Sequence, residues 1–180
     1  FAKDRGDSQR LDALEKAIVR IEDDIATLKK NYAKKYIENE CILDLSCKGL
    51  ASLPIEIGKL TNLTAMDLRD NCITSLPSEI GNLTNLTKLL LNCNILASLP
   101  AEIGKLTNLK ELRLSYNCIT SLPSEIGNLT NLKELWLIGN NLTELPSEMG
   151  NLTNLKELRL VYNPIPEDKR KHYKALLPNT

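Results

Sequence analysis

A 23-residue unit repeated six times between Glu40 and Pro164 leaves this chain few folds to choose from. The copies begin at Glu40, Leu63, Leu86, Leu109, Leu132 and Leu155, and the fourth reads LKELRLSYNCITSLPSEIGNLTN over residues 109–131. Self-similarity at such a period means a solenoid, in which no single unit can bury its own apolar face and each must stack on its neighbours. Positions 1, 4, 6, 11, 14, 18 and 21 are aliphatic in almost every copy; in the fourth they are Leu109, Leu112, Leu114, Ile119, Leu122, Ile126 and Leu129. The L-x-L centre alternates with period two, which predicts a short strand with its leucines on one face. Position 9 holds Asn71, Asn94, Asn117, Asn140 and Asn163. An amide with two donors and an acceptor can bond backbone groups of its own and the next coil, so the chain can turn inward without orphaning buried peptide groups. Pro at position 15 and Gly at position 19, from Pro54 and Gly58 to Pro146 and Gly150, oppose long helices. The outer side is therefore predicted to be extended or 3₁₀ turns.

The pattern LxxLxLxxNxLxxLPxxIGxLxx resembles that of leucine-rich repeat proteins, specifically the 23-residue class of intracellular Ras-group and bacterial members. The resemblance implies an α/β fold: a leucine-rich repeat horseshoe solenoid whose parallel sheet lines the concave side. It also implies a function in binding proteins, with small GTPases, phosphatases or kinase complexes as partners by analogy alone. The first copy departs from the pattern at Glu40 and Lys48, and the last decays after Asn163, as terminal coils facing water are expected to do.

The expected organisation is an N-terminal helical cap over residues 1–39, six repeats over 40–164 with the last truncated, and a short helical cap over 165–180. In the first segment Leu11, Leu14, Ile18, Ile21, Ile25, Leu28 and Tyr32 step by threes and fours, a heptad seam. That helix can fold over the edge of the first coil, or it can oligomerise the chain through Leu14, Ile18, Ile21, Ile25 and Leu28. The expected state is a monomer rather than a dimer; an oligomeric spacer and a microbial effector acting in host cells stand as alternatives. In the last segment Tyr173, Leu176 and Leu177 can cover the final coil while Lys169, Arg170, Lys171 and Lys174 face water.

Positions 3, 5, 7 and 8 project from the strand face, because the intervening leucines point inward. The copies agree on scaffold positions and differ here, which marks this face as the candidate partner-binding surface. Its N-terminal half is acidic and polar, with Asp44, Asp67, Arg69 and Asp70; Leu90 stands at its middle. Its C-terminal half is aromatic and basic, with Trp136 between Arg113 and Arg159, Ile138 beside them, and Tyr116 and Tyr162 flanking Gly139 across what reads as a notch. Trp, Tyr and Arg are the residues enriched at binding hot spots, and a large exposed indole calls for a partner. The competing reading is internal: both arginines can stack on Trp136, and the column Glu111, Glu134 and Glu157 can hold them.

Several functions are disfavoured. Lys and Arg balance Asp and Glu at 23 each, so no global field steers the chain to nucleic acid or an anionic membrane. No apolar run approaches the ~18 residues needed to span a bilayer. The single histidine, His172, lies in the terminal segment, so a Ser-His-Asp or Cys-His site would have to be built there, where no acidic partner is well placed and from which the cysteines lie on other coils. Without further histidines or paired cysteines there is no metal site, and no cofactor is expected. GKLT at Gly58 and Gly104 lacks the first glycine of a phosphate loop. The five cysteines, Cys41, Cys47, Cys72, Cys93 and Cys118, are an odd number with no CxxC pair, and are read as free thiols of a reducing, cytoplasmic compartment. The six N-x-T sequons point the other way, yet they are largely one repeated NLT copied along the chain.

Overall fold

A computed structural model describes residues 41–176. Each copy contributes one three-residue strand: β1 (Ile42–Asp44), β2 (Ala65–Asp67), β3 (Lys88–Leu90), β4 (Glu111–Arg113), β5 (Glu134–Trp136) and β6 (Glu157–Arg159). They form one parallel sheet in sequence order. Register is a constant step of one repeat: Leu43 faces Met66, Met66 faces Leu89, and so on to Leu135 and Leu158.

Between strands the chain returns along an outer wall of five 3₁₀ turns, Ile55–Lys59, Ser78–Asn82, Ala101–Lys105, Ser124–Asn128 and Ser147–Asn151. The position-15 proline precedes each turn in extended conformation, and its carbonyl accepts from the N–H three residues on, as Pro123 does from Ile126 at 3.1 Å. Of the two conformations expected for this side, extended or 3₁₀, the turns take the second. The glycine at position 19 has a sharper cause than dislike of helix: the next coil lies against it. A Cβ on Gly127 would sit 2.6 Å from Cβ and the carbonyl oxygen of Glu148, and Gly58, Gly81 and Gly104 meet their neighbours equally closely.

The aliphatic positions stack into one continuous core, with most of these side chains fully shielded. The asparagine ladder runs through it. Asn117 Nδ2 donates to the carbonyls of Leu91 and Leu114 at 3.0 Å, and its Oδ1 accepts from Leu96 N–H at 3.0 Å. The amide therefore satisfies its own coil and the preceding one, rather than the next one as the sequence suggested. Because each ladder side chain closes three buried backbone groups that water cannot reach, losing one leaves donors and acceptors stranded at about 1–3 kcal/mol apiece. A second ladder, unforeseen from sequence, lies outside: Asn85, Asn108, Asn131 and Asn154 each donate to a threonine carbonyl of the preceding coil at 2.8–2.9 Å. Its signal was there to read, since Asn recurs at position 23 of five copies.

The described residues end with helix α1 (Glu167–Leu176). Tyr173 is buried as expected, and its hydroxyl accepts from Leu145 N–H at 2.8 Å. Arg170 departs from its expected place in water. Its guanidinium donates to the carbonyls of Ile165 and Asn163 at 3.0 and 2.8 Å, so it satisfies backbone acceptors at the end of the last coil. Lys169 pairs with Glu144 at 2.6 Å. The heptad residues Leu14, Ile18, Ile21, Ile25 and Leu28 lie outside the described residues.

Candidate functional site

The sheet brings the variable columns together in order. Position 5 runs Asp44, Asp67, Leu90, Arg113, Trp136, Arg159 along neighbouring strands, with Arg113 facing Trp136 and Trp136 facing Arg159 in register. Position 3 places Glu111, Glu134 and Glu157 beside them.

The internal stacking considered for the tryptophan is present. Arg113 Cζ lies 3.7 Å from the Trp136 ring centroid, and Arg159 Cζ lies 4.3 Å from it on the neighbouring strand. The indole is half-buried between two guanidinium planes, which corrects the expectation of a large exposed ring. Its Nε1 is shielded from solvent and has no acceptor among the described residues, an unmet donor in the middle of the face. The arginines are themselves held: Arg113 Nε pairs with Glu111 at 2.5 Å, its Nη2 approaches Glu134 at 3.5 Å, and Arg159 pairs with Glu157. Lys88 joins the other side of Glu111 at 2.7 Å. Alternating charges thus neutralise the half that the sequence presented as basic. Arg113 and Arg159 hold the tryptophan as a rigid platform, and their charge is largely spent in doing so.

What remains uncovered is apolar and aromatic. Tyr116 is 56% exposed, Tyr162 75% and Val161 54%, with Ile138 partly exposed between them. The notch expected at Gly139 is filled: a Cβ there would lie 2.8 Å from Cδ1 of Tyr116, so the Tyr116 ring rests over the glycine. Gly139 has φ +65°, and Cys47, Asp70, Cys93, Tyr116 and Tyr162, its equivalents in the other coils, have φ between 55° and 60°. Left-handed backbone at non-glycine residues costs roughly 1 kcal/mol or more each. Here it recurs at one position of every coil because the chain must turn at once to send the next asparagine inward. The same turn fans the position-8 side chains outward along one rim of the sheet.

The acidic half is also partly self-satisfied. Asp67 is 9% exposed and takes a forked ion pair from Arg69, with Nε and Nη2 donating at 2.9 and 2.6 Å. Asp44 accepts from the hydroxyl and N–H of Ser46, which hold its carboxyl below the ordinary carboxylate range. Asp70 is exposed beside Cys93, whose thiol is pushed up first by partial burial and then by the Asp70 charge. Leu90 is half-buried at the centre of the face. All five cysteines are free, four of them exposed. Among the described residues no cluster of His, Cys, Asp and Glu could hold a metal ion, and no helix is long and apolar enough to cross a membrane.

The repeat geometry agrees with sequence and structural comparisons. The family model for the leucine-rich repeat region matches residues 27–116 and 101–176. The chain belongs to the leucine-rich repeat family. It is 42% identical to a leucine-rich repeat protein of Leptospira interrogans, superposing with a TM-score of 0.71 over 72% of this chain and 33% of that one. An internalin of Listeria monocytogenes is 29% identical, with a TM-score of 0.59 over 70% of this chain and 36% of its own. The ectodomain of a plant membrane receptor kinase from Arabidopsis thaliana, solved in complex with Casparian strip integrity factor 2, is 32% identical with a TM-score of 0.58, covering 68% of this chain and 14% of that one. This chain thus spans about a third of the two bacterial proteins. No curated protein sequence matches it.

Proposed function

We propose that this leucine-rich repeat chain is a non-catalytic recognition module that binds a protein partner on the sheet face of its C-terminal coils. The observation that carries the reading is the preformed aromatic surface of β4 to β6: Trp136 clamped between Arg113 and Arg159, with Tyr116, Val161 and Tyr162 exposed beside it. The Trp136 ring, already held between two guanidinium groups, loses little side-chain freedom on association, so burial of its apolar area is retained as affinity. Neutralised arginines suit the same purpose. They orient the indole and keep N–H groups at the rim for a partner's carbonyls, without needing an oppositely charged ligand. The plant leucine-rich repeat ectodomain solved in complex with Casparian strip integrity factor 2 supports a binding role for such a fold. The free cysteines support a reducing, cytoplasmic setting.

The test uses the exposed tyrosines, because truncating Trp136 would also release both arginines and blur the outcome. Proteins captured from source-cell extract by the intact chain are identified and titrated against the chain and its Tyr116→Ala/Tyr162→Ala variant. Hot-spot loss of about 2 kcal/mol or more predicts an affinity at least ~30-fold weaker for the variant. A captured protein that binds both forms equally is held elsewhere, and the assignment of the site fails.

A further inference from the structure

A second surface lies before the strands, at the end opposite the tyrosine rim. Position 2 of the copies runs Cys41, Thr64, Thr87, Lys110, Lys133, Lys156, and these residues are joined directly through their backbones. Each N–H donates to the preceding carbonyl in the column, Thr87 to Thr64, Lys110 to Thr87, Lys133 to Lys110 and Lys156 to Lys133, all at 2.8 Å. Three lysines on consecutive coils therefore stand one strand spacing apart, ~4.8 Å between neighbours. All three are exposed, and among the described residues none is ion-paired. The adjacent Glu111, Glu134 and Glu157 do not serve them, because those carboxylates are engaged by Lys88, Arg113 and Arg159 on the strand face.

The column leads out of a polar groove of about 430 Å³ along the first four coils, lined by Asn62, Thr64, Asn85, Thr87, Asn108 and Lys110. The outer asparagines there are fixed by their bonds to threonine carbonyls, so their remaining amide valences point in a repeated direction. A row of oriented amides and hydroxyls can meet the backbone of an extended polypeptide, and a row of unpaired ammonium groups can meet its acidic side chains. Like charges held in register destabilise the free protein slightly, a cost that an anionic ligand removes.

We infer that an acidic, extended segment of a partner polypeptide docks along the Lys110, Lys133 and Lys156 ladder. Same-side residues of such a segment repeat every ~6.8 Å, and flexible lysine stems accommodate the difference from the coil spacing. Nucleic acid is the poorer occupant. The groove offers no ring on which bases could stack, and the chain as a whole carries no net positive charge. The site is separate from the tyrosine rim and does not depend on the reading above.

The experiment is fluorescence anisotropy with a labelled nonapeptide of alternating glutamate and threonine, and the same peptide with glutamine for glutamate. The intact chain should bind only the glutamate peptide, and raising the salt should weaken it. Lys110→Ser/Lys133→Ser/Lys156→Ser should lose about tenfold in affinity, the combined effect of three exposed ion pairs. Lys59→Ser/Lys105→Ser, on the outer turns, and Tyr116→Ala/Tyr162→Ala should bind as the intact chain does. The triple variant should melt at the same temperature or higher, which separates lost binding from lost fold. Equal binding by the triple variant and the intact chain, equal loss in the outer-turn variant, or tighter binding of a single-stranded oligonucleotide of matched charge would overturn the proposal.

Discussion

Placing alanine at Gly139 tests how the aromatic surface is built. Two effects oppose the added methyl, and the structure separates them. Gly139 has φ +65°, so any L-residue there bears the left-handed cost of about 1 kcal/mol. Five equivalents with side chains show that the coil tolerates that cost. The second effect is local to this coil: the new Cβ would lie 2.8 Å from Cδ1 and 3.1 Å from Cε1 of the Tyr116 ring. Overpacking of that kind costs roughly 1–3 kcal/mol, and the exposed ring can swing away, which favours the lower end. Gly139→Ala should therefore destabilise by about 2–3 kcal/mol in the intact chain, yet by only about 1 kcal/mol in a Tyr116→Ala background. At roughly 2–4 °C per kcal/mol for a chain of this size, thermal unfolding followed by circular dichroism resolves the difference. The double-mutant cycle should give a coupling of about 1–2 kcal/mol, well outside the ~0.5 kcal/mol scatter of independent sites. Equal losses in both backgrounds would mean that the ring does not rest on the glycine, and the described rim would have to be redrawn.

The outer wall offers a similar contrast. Gly127→Ala drives a methyl into the Glu148 backbone and should cost about 1–3 kcal/mol, whereas Gly150→Ala has open space and ordinary φ and should change stability by no more than ~0.5–1 kcal/mol, in the stabilising direction; denaturant midpoints of the two variants are the check. At the C-terminal end, Lys169 holds the Glu144 carboxyl below its ordinary range, and Glu144 in turn raises Lys169. A depressed carboxylate adds stability that is present above its unfolded value, ~4.3, and is lost as pH falls through the lower folded value. Melting temperatures of the intact chain and Glu144→Gln should thus differ near pH 6 and converge in strong acid; a gap that persists at low pH would assign the effect to packing instead.

The sequence was most legible where one rule is copied many times. Leucine spacing predicts strand, core face and register together, because sliding one coil against the next by a single residue would expose every buried aliphatic. Pro123 announces an outer turn for a local reason that needs no partner, whereas Gly127 owes its place to the coil stacked against it. The position-9 asparagines were legible too, since a polar side chain recurring among leucines must be bonding backbone. The site was legible only as a set of columns. Whether Lys88 reaches Glu111, and whether Trp136 faces solvent or guanidinium, depends on residues one repeat apart that meet only when coils stack.

Residue order alone therefore determined the solenoid, its short strands, its outer wall free of long helices and the identity of the variable face, because each follows from hydrophobic period and turn chemistry within one 23-residue unit; the parallel sheet was implied by the family resemblance. Tertiary structure alone decided how that face is used. It set alternating charges against one another across strands, clamped the indole between two arginines, laid Tyr116 over Gly139, and left three lysines in register with no carboxylate to meet among the described residues. These outcomes turn on distances of a few ångströms between side chains 23 residues apart, and pair energies at such contacts change sign with geometry.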